Sequence, residues 1–367
     1  MRDISSIAGQ IAGNCIVSDA QSAGLYSICG LALRLRDLFK WEKRLPPWEE
    51  PEPAVILDWI GEREELWEKA GEQPLAQLRV NGRYLDPFDT EAVNRSLVPE
   101  GFYYGAGYAQ SLKPTFFLAE IEQRSTVDGV TVFTLGRELA RDLLTLPALS
   151  QSGVVLLRTE AARLYLWDQM FYIKKSGRAA LACALRACGL PDPRPETIRS
   201  RLDDVFAAVR PVYVYHEIGE VKNLVFDREL WQEIVFSFAH SPVELLARTL
   251  KDLLADTDPQ GTLPKLIQER RSAAVGFYAA FFDGLARAML PGLRPAYARF
   301  ATDGDWDALG RFVAGARDGI RRRTEAFLEI VAEGRRRGDP EWTGRKVACR
   351  ILDPLTSQGE PSDDSAL

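Results

Sequence analysis

The chain has 367 residues, 46% hydrophobic and 27% charged, which suits a globular protein of two domains. Its net charge of −6 argues against a general binder of nucleic acid or anionic membranes. No apolar run approaches the roughly 18–20 residues that span a bilayer, and Met1-Arg2-Asp3 does not open a signal peptide, so a cytoplasmic location is expected.

In chain order, an apolar stripe of Leu25, Ile28, Leu31, Leu35, Leu38 and Phe39 predicts a helix over 20–43. Cys15, in a polar stretch before it, is read as lying in a turn at the helix start, where a thiol can be activated. Prolines 46, 47, 51 and 53 end the first helix, and a second is expected over 54–70. Asn81-Gly82 and Asp128-Gly129 suit type I′ turns and predict two β-hairpins. Asp86-Pro87-Phe88-Asp89 resembles a helix start. Beyond Gly136 the pattern predicts helices almost throughout: 137–146, 156–174, 177–188, 195–208, 211–222, 228–239, 242–255, 263–289, 305–317 and 318–336. Ser241-Pro242-Val243-Glu244 is a capping box. The fold class expected is mainly α: an N-terminal α+β unit with one or two hairpins over 1–190, then an all-helical, bundle-like domain over 191–355. A disordered tail is expected over 356–367. Five scattered cysteines without a C-x-x-C pair read as neither a disulfide framework nor a zinc knuckle.

Several blocks resemble an uncharacterised bacterial family known only as a domain of unknown function. They are Cys15 with Ser18-Asp19-Ala20, Gly30-Leu31-x-Leu33-Arg34-Leu35-Arg36, Lys40-Trp41-Glu42, His216-Glu217-x-x-Glu220 and Lys251-Asp252 through Asp256-Thr257. The resemblance groups these motifs and implies no activity.

Tyr213-Val214-Tyr215-His216-Glu217-Ile218-Gly219-Glu220 carries the chemistry. The protein has two histidines, and on a helix His216 and Glu220 share a face. Asp252 and Asp256, also one turn apart, can complete a shell from a facing helix. Metal ligands are therefore expected at His216, Glu220, Asp252 and Asp256, with Glu217 as catalytic base or a third ligand on its helix. So oxygen-rich a set favours manganese, iron or magnesium over zinc. A metal-free acid/base site competes with this reading. So do a buried structural histidine, a solvated helix face with Glu217 and Glu220 paired to lysines such as Lys222, and a β-strand over Val212–Tyr215. The functional expectation is a metal-dependent or acid/base enzyme acting on an unknown small molecule. Its alternative is a non-catalytic regulatory or scaffolding protein that docks a protein partner through its helical domain.

Lesser candidates are weighed beside these. His240 is read as a cation at a helix C-terminus, and Tyr103–Tyr108 as an aromatic loop without a dinucleotide pattern. Glu120 and Glu122 share a strand face. Asp283, in an apolar setting, calls for a partner such as Arg287. The clusters Arg321–Arg323 and Arg335–Arg337 read as ion-paired helix surface.

Overall fold

The structure, a computed structural model, describes residues 4–191 and 194–356. The expected tail beyond Thr356 and part of the linker near Pro193 lie outside them. Two compact units divide between Tyr172 and Ile173. This division comes earlier in the chain than the boundary expected at 190, because Arg178–Ala187 packs with the helices that follow it.

The first unit opens with helices α1 (Ile4–Ser22), α2 (Ile28–Glu42) and α3 (Pro53–Ala70). Ile7, Ile11 and Cys15, spaced at helical period, bury one face of α1 against Tyr104, Phe116 and Leu118. Cys15 is therefore not in a turn: it is buried within α1, and burial followed by Asp142 and Asp19 pushes its thiol well above the ordinary range. A hairpin of β1 (Leu78–Val80) and β2 (Arg83–Leu85) precedes α4 (Thr90–Leu97), whose first turn is capped by Asp89. A five-stranded sheet follows, from β3 (Phe102–Tyr108), β4 (Pro114–Val127), β5 (Val130–Arg141), β6 (Ala148–Gln151) and β7 (Val154–Arg158), in the order β3-β4-β5-β7-β6. All pairs are antiparallel except β5 with β7. α5 (Thr159–Phe171) closes the unit.

Both predicted hairpins form. Asn81 and Gly82 (φ 54° and 78°) and Asp128 and Gly129 (φ 48° and 81°) carry the positive φ angles that a type I′ turn requires. Three expectations fail here. The expected helix 137–146 does not form: its first half continues β5 to Arg141, because Glu138 and Arg141 face inward as ion-paired residues rather than lining a solvated helix. The predicted start of helix 156–174 is β7. Tyr103–Tyr108 is strand β3 rather than a loop. Gly105 is required there, since a methyl group on it would lie 2.0 Å from the Phe117 ring.

The second unit is helical. It comprises α6 (Arg178–Ala187), α7 (Pro195–Ser200), α8 (Leu202–Lys222), α9 (Arg228–Ser237), α10 (Pro242–Thr257), α11 (Thr262–Gln268), α12 (Ser272–Phe281), α13 (Gly284–Met289), α14 (Leu293–Asp303), α15 (Trp306–Arg337), α16 (Pro340–Val347) and α17 (Asp353–Thr356). The apolar faces of α10 (Leu246, Leu250, Leu253) and α15 (Val313, Ile320, Phe327) meet in its core. α8 runs through Pro211 rather than breaking before it, and the helix expected over 263–289 is three short ones. The strand alternative for Val212–Tyr215 is excluded, since these residues lie in mid-helix.

Candidate functional site

The site lies where α8 meets α10, and the sequence dictates how closely they meet. Gly219 faces the Ala255 carbonyl, from which a methyl group would stand only 2.4 Å away. That approach brings the i, i+4 pair His216/Glu220 against the i, i+4 pair Asp252/Asp256. Nε2 of His216 lies 3.9 Å from Oε1 of Glu220 and 4.0 Å from Oδ1 of Asp252. One ligand atom from each of the three residues falls within 4.8 Å of the others. A coordination shell with bonds of about 2.1 Å places its ligand atoms roughly 3–4.2 Å apart, so a sub-ångström shift of side chains closes one.

Asp256, expected among the ligands, stands behind the imidazole instead. Its Oδ1 lies 2.9 Å from Nδ1 of His216 and accepts the Thr262 hydroxyl at 2.6 Å. Its Oδ2 accepts the Tyr278 hydroxyl at 2.8 Å. With both oxygens engaged, Asp256 fixes the ring and directs Nε2 outward, the arrangement that outer carboxylates give to metal-binding histidines. Sequence reasoning missed Thr262 and Tyr278. The detectable signal was Tyr278 itself, because a tyrosine on a core stripe needs a partner for its hydroxyl.

The electrostatics are those of a site with too much negative charge. Four carboxyl groups, Glu217, Glu220, Asp252 and Asp256, share two principal cationic groups among the described residues, His216 and Lys251. Burial opposes a charge on His216, but Asp256, then Asp252 and Glu217, raise its pKa well above the ordinary value. Lys251 binds Glu220 directly and, overcoming burial, lowers that carboxyl below its ordinary range. Glu217 and Asp252 shift the other way. Burial and then Glu220 push Glu217 up to about 7. Burial, with Glu220 and Asp256, pushes Asp252 up to about 6, although half of its side chain is open to solvent. Glu217 is buried and, among the described residues, makes no hydrogen bond. Of the expected pairing with lysines, Glu220 is met by Lys251, while Lys222 donates to Gln260.

The lesser candidates resolve into local structure. His240 has φ 61° at the end of α9, and its N–H donates to Glu244, the capping-box residue, at 3.1 Å. Glu120 pairs with Arg137 at 2.7 Å on the exposed sheet, while Glu122 lies over Gly136. Asp283 is held by Lys174 at 2.7 Å, with the expected Arg287 farther off at 4.0 Å. Glu333 pairs with both Arg336 and Arg337.

No helix among the described residues is long and apolar enough to cross a membrane. The N-terminal domain of a family of unknown function, DUF6866, matches residues 6–158, and the C-terminal domain of the same family matches residues 163–347. No curated protein and no solved structure matches the chain.

Proposed function

We propose, for a chain that belongs to the family of unknown function DUF6866, that His216, Glu220 and Asp252 hold a divalent cation and that this corner is the active site of a metal-dependent enzyme. The observation that carries the reading is the convergence of these three donors around an imidazole whose far nitrogen is fixed by Asp256. The charge balance supports it: His216, Glu217 and Asp252 are all shifted toward their protonated forms, the response to an excess of negative charge that a cation would also neutralise. One nitrogen and several oxygens favour manganese, iron or magnesium over zinc. Bound there, the cation supplies Lewis-acid stabilisation of developing negative charge. Glu217, buried beside the ligands and titrating near neutral pH, is the group that exchanges a proton with a small-molecule substrate.

Titration of the metal-free protein with Mn2+, followed by calorimetry, tests this. One Mn2+ per chain is expected, lost in His216→Ala and weakened about 10- to 100-fold in Asp256→Asn, as for other residues behind a ligand. No uptake of Mn2+, Fe2+ or Mg2+ would sink the proposal. A metal-free acid/base site is favoured by one observation, the Lys251 ammonium already bound to Glu220. Partner docking is favoured by another, the exposed Leu224, Val225 and Phe236 on and beside α9.

A further inference from the structure

The hairpin of α15 and α16 is built around one close crossing. A methyl group on Gly334 would stand 1.7 Å from Oγ1 of Thr343, so glycine is what lets the helices touch. Gly338, with φ 63°, turns the chain, and Asp339 caps α16 by accepting the Trp342 N–H at 2.8 Å. After α16 the backbone widens into a π turn over Ala348–Leu352. Such turns are rare, are costly to keep and collect at functional sites.

Between α15 and this turn lies an open groove of 680 Å³, within the range of about 300–1,000 Å³ typical of small-molecule sites. Its apolar wall is Ala326, Ile330 and Ile351, and Trp342, Lys346 and Arg350 complete it. The charges here are unevenly engaged. Glu333 is held by Arg336 and Arg337, and Arg337 lies over the Trp342 ring at 4.5 Å. Among the described residues, Lys346 and Arg350 have no carboxylate within ion-pair distance. The one charge-linked contact of Lys346 is the Trp342 ring, 5.9 Å away. The remaining carboxylate of the groove is Glu329, on α15. Two cations that have no carboxylate partner among the described residues, beside an indole and an aliphatic wall, form a recognition pattern for one kind of molecule.

We infer that this groove binds a small amphiphilic anion, with an apolar or planar body against Trp342, Ile330 and Ile351 and a sulfonate, carboxylate or phosphate group at Lys346 and Arg350. The site shares no residue with the cation site, and the inference stands whatever becomes of that reading. The probes are 8-anilinonaphthalene-1-sulfonate and N-phenyl-1-naphthylamine, the same aromatic body without the charge, titrated into the full-length protein. The sulfonate should bind saturably, one per chain, and more tightly than the neutral amine. The double variant Lys346→Gln/Arg350→Gln should weaken the sulfonate about five- to tenfold, as expected for two exposed ion pairs, and leave the amine unchanged. Trp342→Leu should weaken both. Unchanged sulfonate affinity in the double variant, with an unaltered melting curve, overturns the inference. So does equal affinity for the two probes. If Trp342→Leu does not fold, the double variant decides alone, because Arg350 is exposed and Lys346 only half-buried.

Discussion

Each unit holds a charged cluster, buried in the first and partly open in the second, and the two are built to opposite plans. In the first, the Lys113 ammonium sits between Asp19 at 3.0 Å and Asp142 at 3.5 Å and also donates to the Ser18 hydroxyl at 3.0 Å. Asp142 accepts the backbone amides of Phe116 and Leu144, and Asp19 accepts that of Leu143. Every member has partners within the protein, and the cluster ties α1 to the ends of β4 and β5. In the second, four carboxyl groups face two cations. Nε2 of His216 points at carboxylates 3.9–4.0 Å away, and Glu217 has no hydrogen bond among the described residues. Clustered charge is common to both. The difference lies in saturation: the first cluster is a lock, and the second keeps an excess of carboxyl groups, the excess on which the proposed cation site rests.

The largest expected effect tests the lock. Lys113→Met leaves Asp19 and Asp142 buried together without a counter-charge, which should cost about 3–5 kcal/mol by the rule for broken buried pairs. Thermal melting should fall steeply, whereas His216→Ala, at a site with an open face, should melt far closer to wild type. A tolerated Lys113→Met would erase the distinction.

Next in size is the helix approach that assembles the second cluster. Gly219→Ala pushes α8 away from the Ala255 carbonyl, at a cost of about 1–3 kcal/mol for overpacking. Mn2+ affinity should drop with it, since His216 and Asp256 lie on the two helices being separated. Loss of stability with full cation affinity would show that the approach does not position the site.

The first cluster also responds to pH. Burial raises Asp19 to about 7 from an ordinary 3.8, so the folded state favours its protonated form. The stability this confers is complete below about pH 4 and is lost as pH rises through about 7. Asp19→Asn removes that titration, so its stability deficit relative to wild type should shrink between about pH 5 and pH 8. Chemical denaturation at several pH values measures this, and a widening deficit contradicts the assignment. The smallest effect is expected at the sheet surface. Glu120→Ala breaks an exposed pair with Arg137 and should change stability by about 0–1 kcal/mol.

What was legible in the sequence follows the range of the interactions. The two hairpins were readable because Asn81-Gly82 and Asp128-Gly129 specify positive φ angles locally. His216/Glu220 and Asp252/Asp256 were readable as pairs because helical spacing alone sets their faces. The role of Asp256 was not, since it depends on Thr262 and Tyr278, brought in from two further helices. The second half of β5, past Gly136, was hidden because Glu138 and Arg141 look like solvated helix residues until Arg158, paired to Glu138 at 2.6 Å, gives them a reason to be buried. The helical setting of Cys15 was hidden similarly: the polar residues around it, Asn14, Ser18 and Asp19, are buried and bonded to distant backbone or to Lys113.

Elemental analysis of tag-free protein by plasma mass spectrometry, with His216→Ala beside it, tests the cation site most directly. The account predicts a near-stoichiometric divalent metal in the wild type, or its stoichiometric uptake on addition of manganese or iron, and its loss in the variant. A folded wild type that neither carries nor takes up a divalent metal, or a variant with unchanged metal content, would contradict it.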